Sequence, residues 1–149
     1  MPGITVGVDG SANARYALEW AMREAAVTKV PLSVLTVNEI AASFWTGRPV
    51  TVPADETLLE TARQAATELA EKAANELGDS VSVTYTVTAV NGFAAEELVK
   101  ASQEADLLVV GARGGAHSGG MAHHMPLGSI SNKVLHHASC PVVVVPAAK

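Results

Sequence analysis

Short β-branched runs alternate along this chain with longer stretches in which alanine and leucine recur every three or four positions. The runs "ITVGV" (4–8), "LSVLTV" (32–37), "VSVTYTV" (81–87), "LLVV" (107–110) and "VVVV" (142–145) have the length and residue preference of strands. Most are nearly continuous in apolar residues, as strands covered on both faces of a parallel sheet are, whereas "VSVTYTV" alternates with polar positions and suits an edge. Between them, Ala14, Ala17, Leu18, Ala21, Met22 and Ala25 fall on one helical stripe, and Leu58, Ala62, Ala65, Leu69, Ala73 and Leu77 on another. Gly78 ends the second helix, and "AAEELVKASQ" (94–103) and "SISNKVLHHA" (129–138) supply two shorter helices.

This β-α-β alternation over 149 residues predicts one domain, 1–149, of α/β class. Its sheet is doubly wound, parallel and five-stranded, with helices on both faces joined by right-handed crossovers. In such a fold ligands sit beyond the carboxyl ends of the strands, where the strand order reverses. Those ends carry Asp9, Gly10 and Ser11; Val37 and Asn38; Val90, Asn91 and Gly92; and Gly111, Ala112, Arg113 and Gly114.

Composition narrows the partners. Fifteen acidic against ten basic residues give a net charge of −5, with no basic stripe, so nucleic acid is not an expected partner. The single cysteine, Cys140, excludes an intramolecular disulfide and fits a reducing compartment. "MPGITVGVDG" lacks the charged and apolar regions of a signal peptide, and no stretch is long and apolar enough to span a bilayer, so a cytoplasmic protein without membrane contact is expected.

The candidate chemistry is concentrated in "GARGGAHSGGMAHHMPLGSIS" (111–131), which holds six of the twelve glycines and three of the five histidines. Glycines after a strand let successive N–H groups converge on phosphate oxygens. Gly128 and Ser129 then open a helix whose N-terminus favours an anion. The same residues also suit an ordinary turn and N-cap, and on their own they leave both readings open. Neither a G-x-x-x-x-G-K-S/T loop nor a G-x-G-x-x-G after the first strand is present. His117, His123 and His124 share the stretch without a cysteine or carboxylate, a poor metal set. His136 and His137 fall in a last helical turn, where imidazole suits the negative end of the dipole. Cys140, before Pro141 at a strand start, reads as packed and inert.

Several separated segments in order resemble the universal stress protein family: "VGVDGSANARYALEWA", "VNGFAAEELVKASQEADLLVVGARG", "LGSIS" and "HHASCPVVVVP". The likeness covers nearly the whole chain. It implies a five-stranded, Rossmann-like fold of the adenine nucleotide alpha hydrolase type. The family's ATP-binding branch is marked by G, two residues, G, nine residues, then G with Ser or Thr. Gly111 and Gly114 match, but thirteen residues, 115–127, precede Gly128 and Ser129. The ends of the motif are intact and its span is four residues longer.

Carried over by position, the resemblance implies that Val8, Asp9 and Gly10 lie by the ribose and that the Val37 backbone meets the adenine edge. Gly111, Gly114, Gly128, Ser129 and Ile130 would line the phosphates, with Ser131 as a further hydroxyl donor. Arg113 either answers a phosphate or stands in solvent, and Asp9 has an Asx turn as its alternative role. The implied ligand is ATP, with AMP or ADP as variants and Mg²⁺ accompanying ATP. The resemblance also implies a homodimer through Val142–Val145, whose flat apolar edge pairing would hide. The connection 38–57, with Phe44 and Trp45, reads equally as a lid or contact surface and as cover for the sheet edge. No positioned base beside a nucleophile is visible, so no enzyme is expected. An ATP-binding regulatory or stress-response module leads. A slow ATP hydrolase is one alternative, and a nucleotide-free dimeric scaffold recognising a protein partner is another.

Overall fold

The computed structural model describes residues 2–9, 12–39, 42–45, 48–51, 56–112 and 129–146, with backbone alone for Ala12, 42–45 and 48–51. The elements run β1 (Ile4–Val8), α1 (Ala12–Thr28), β2 (Leu32–Glu39), β3 (Ala42–Trp45), β4 (Arg48–Thr51), α2 (Glu56–Leu77), β5 (Tyr85–Gly92), α3 (Ala94–Ser102), β6 (Leu107–Gly111), α4 (Ser129–His137) and β7 (Val142–Val145). Five strands form a parallel sheet in the order β5-β2-β1-β6-β7. The doubly wound α/β class is as the alternating pattern indicates, and the alternating strand lies at an edge, as expected.

Side chains of alternate strand residues divide between two apolar layers. Ile4, Val6, Val8, Leu32, Val34 and Val109 pack with Ala14, Ala17, Leu18, Ala21, Met22 and Ala25 of α1 and with α2. On the opposite side, Leu35, Leu108 and Val110 pack with Ala95 and Leu98 of α3 and Val134 of α4. The α1 stripe is buried as its spacing predicts.

Three local expectations shift. On α2, Ala73 is buried and Leu69 and Leu77 pack partly against the core as expected, but Ala66 and Ala70 are buried outside the expected stripe, while Leu58 and Ala65 are exposed. An alanine-rich helix offers two neighbouring small-residue stripes, and the one that lets α2 approach α1 and the sheet is selected. The strand expected at 81–87 runs instead from Tyr85 to Gly92. Gly78, with φ +80°, ends α2 as expected, and the chain must return to the start of the sheet before pairing, where the Leu32 N–H donates to the Thr84 carbonyl. Within the connection 38–57, β2 continues to Glu39 and β3 pairs with β4 in an antiparallel hairpin.

Candidate functional site

The chain moves outward from β1 to β2 and β5, then crosses back to β6 and β7 on the other side of β1. The order therefore reverses between β1 and β6. Pairing between these two strands stops at Val6 and Val109, although β1 continues to Val8 and β6 to Gly111. Their other edges stay paired to the end: Val8 lies opposite Thr36, and Gly111 opposite Val145. The two strands thus part over their last residues, opening a crevice at the carboxyl edge where such sheets receive ligands.

Helix termini reinforce the polarity of this edge. In parallel β-α-β units the helices begin at the carboxyl edge, with their free N–H groups directed there. The first turns of α2 and α3 contain Glu56 and the pair Glu96 and Glu97, which answer those groups with their own charge. The first turns of α1 and α4, the helices that follow the crevice strands β1 and β6 in the chain, contain no carboxylate. An anion entering there meets helix starts whose first turns carry no like charge.

Seven of the eleven site residues singled out from sequence are described. Val8 is buried at the end of β1, and Asp9 follows it exposed. Val37 is half-buried near the end of β2, and Gly111 is half-buried at the end of β6. Ser129 and Ile130 are exposed in the first turn of α4. Ser131, one residue further, is buried, and its hydroxyl donates to the Gly111 carbonyl. Its proton therefore ties α4 to β6, where the sequence pointed to a further phosphate donor. This tie brings the two ends of the glycine-rich stretch together across the lengthened span. Gly10, Arg113, Gly114 and Gly128 lie outside the described residues, as do His117, His123 and His124.

One polar pair escaped sequence reasoning. The Asn38 Nδ2 donates to the Asn91 Oδ1 at 2.9 Å, joining the carboxyl ends of β2 and β5 beside Val37. Both asparagines were visible as strand ends, but their register was not. Away from this edge, His136 and His137 occupy the last turn of α4 as expected. Cys140 is half-buried, and burial pushes its thiol pKa up, with a smaller lowering by a backbone hydrogen bond from Leu108. Among the described residues no three His, Cys, Asp or Glu side chains could hold a metal ion together, and no helix is long and apolar enough to cross a membrane.

The sequence model described as "Universal stress protein family" matches residues 2–146. The chain belongs to the universal stress protein family. A universal stress protein of Mycolicibacterium smegmatis is 36% identical to it over 143 residues, covering 96% of this chain and 47% of the relative. One of Mycobacterium tuberculosis is 32% identical over 146 residues, with the same coverage. This universal stress protein thus spans about half the length of the curated relatives it matches. Among solved structures, a universal stress protein in complex with cAMP has a TM-score of 0.66 at 23% identity, covering 99% of this chain and 98% of that one. UspA from Lactobacillus plantarum has a TM-score of 0.68 at 24% identity, with 97% of each chain covered. A universal stress protein from Archaeoglobus fulgidus in complex with dAMP has a TM-score of 0.62 at 20% identity, covering 97% of this chain and 98% of that one. These three likenesses establish the shared Rossmann-like fold.

Proposed function

We propose that this universal stress protein binds an adenine nucleotide, ATP in the first instance, and acts as a regulatory or stress-response module in the cytoplasm. The crevice between the separated ends of β1 and β6, bordered by the carboxylate-free start of α4, is the observation that carries this reading. Asp9 and the backbone at Val8 and Gly10 would take the ribose, and the Val37 backbone would take the base. Gly111, Gly114, Gly128, Ser129 and Ile130 would surround the phosphates, with Arg113 as a cation from the loop. Ser131 serves this site indirectly, by fixing the start of α4 against Gly111. The two nucleotide-bound relatives support the ligand class: one binds cAMP and another dAMP.

The donor set suits the ligand. Backbone N–H groups at an exposed helix start favour phosphate oxygens. Asp9, exposed on the same edge, suits a ribose hydroxyl or a hydrated Mg²⁺ accompanying ATP. No catalytic step is proposed. Residues 1–149 act in this reading as one universal stress protein domain. Two copies pair through β7, whose four valines are half-buried and which has β6 as its strand neighbour. A second β7 would satisfy that open edge.

Chromatography of whatever the purified protein releases on denaturation, with thermal melts of the stripped protein in ATP and Mg²⁺, tests the reading. A ligand at a hundred times its Kd stabilises the native state by about 2.7 kcal/mol. Released adenine nucleotide, or a concentration-dependent rise in Tm, is expected. Neither, up to millimolar ATP, overturns nucleotide binding in favour of a dimeric scaffold, and steady ADP production overturns the non-catalytic reading.

A further inference from the structure

A groove of about 410 Å³ runs between α3 and α4 on the outer side of the sheet. Its walls are Glu96, Val99 and Lys100 from α3, Gln103 at the cap of that helix, and Lys133 and His137 from α4. The spacings, three, four and seven residues on α3 and four on α4, present one stripe from each helix to the same trough. Val99 is half-buried against the cluster that contains Leu98 and Val134, so it offers an apolar contact between the charged walls.

The groove is locally basic on a chain that is acidic overall, although Lys29 and Lys72 likewise form no ion pair among the described residues. The chain has a net charge of −5, and Arg15, Arg23 and Arg63 are each paired with a glutamate. Lys100 and Lys133 are exposed, and neither forms an ion pair among the described residues. Two ammonium groups without an ion pair among the described residues, and an imidazole, therefore share one groove with a single lining carboxylate, Glu96. From Glu96 to Gln103 the α3 wall is about 10 Å long, the reach of about three extended residues.

We propose that the α3–α4 groove docks an acidic peptide segment of a protein partner, in which one apolar residue is flanked by carboxylates. The carboxylates meet Lys100 and Lys133, and the apolar side chain lies over Val99. General attraction does not carry a polyacid to an acidic protein, so binding depends on this local site.

The test is fluorescence anisotropy with labelled Glu-Glu-Leu-Glu-Glu titrated with the full chain at low ionic strength. Saturable binding is expected, weakened about tenfold or more by combined Lys100→Glu and Lys133→Glu, and similarly by glutamine in place of the peptide's glutamates. Serine in place of its leucine should weaken binding as well. Both lysines are exposed, and an unchanged Tm checks that the double variant is folded. Absence of saturable binding, or binding indifferent to the lysines or to the peptide's charge, overturns the proposal. So does an oligonucleotide that binds through these lysines where the peptide does not.

Discussion

Replacing Ser131 with alanine isolates the contact that joins the two ends of the glycine-rich stretch. Ser131 is 4% exposed, and its hydroxyl donates to the Gly111 carbonyl, so solvent does not replace the lost donor freely. Loss of a buried hydrogen bond of this kind costs about 1–2 kcal/mol. Alanine's better helix propensity at the third residue of α4 recovers up to about 0.5 kcal/mol. The net loss is therefore about 1 kcal/mol, which for a chain of this size lowers Tm by about 2–4 °C. Calorimetric melting of the wild type and of Ser131→Ala measures it directly. ATP protection should also diminish without vanishing, because the variant frees the start of α4 but retains Ser129 and the motif glycines. An unchanged or raised Tm would show that the hydroxyl is not coupled to Gly111 in solution, and the tie would have to be abandoned.

Other consequences follow from packing and burial. Gly3→Ala would place a Cβ 2.2 Å from the Pro31 carbonyl oxygen, which accepts the Ile4 N–H, so the backbone must move; a loss of about 2 kcal/mol or more is expected in urea unfolding. Leu18→Ala opens a cavity between α1 and the sheet at a fully buried position and should cost about 2–5 kcal/mol by the same measurement. Burial raises the folded-state pKa of Cys140, so its contribution to stability is present below the ordinary thiol range and lost as pH rises through the raised value. At neutral pH the native thiol should react with Ellman's reagent more slowly than the unfolded one, and equal rates would contradict its packing.

The parts legible in sequence were those fixed by local pattern. Continuous apolar runs such as 107–110 and the α1 stripe can be satisfied only by burial, and Gly78 marks a helix end by its own backbone freedom. Register was less legible, because β5 begins at Tyr85 through its pairing with Leu32, a partner distant in sequence. The β3–β4 hairpin was hidden by the shortness of its two four-residue strands and by Pro49, which a two-stranded ladder accommodates. The carboxyl ends of β1 and β6 announced the crevice through Asp9 and Gly111, yet the parting of their last residues is a matter of sheet geometry. The Ser131–Gly111 and Asn38–Asn91 bonds span 20 and 53 residues, so each residue was visible while its partner was not. The α3–α4 groove is likewise a product of packing between two helices that are unremarkable when read separately.

Isothermal titration of ATP with Mg²⁺ into nucleotide-stripped protein, in parallel with Asp9→Ala and Gly128→Val, tests the nucleotide reading most directly. Saturable heat with the wild type, weakened by Asp9→Ala and abolished by Gly128→Val, is expected if the β1–β6 crevice holds the nucleotide. No heat up to millimolar ATP, or equal binding by all three proteins, would contradict it.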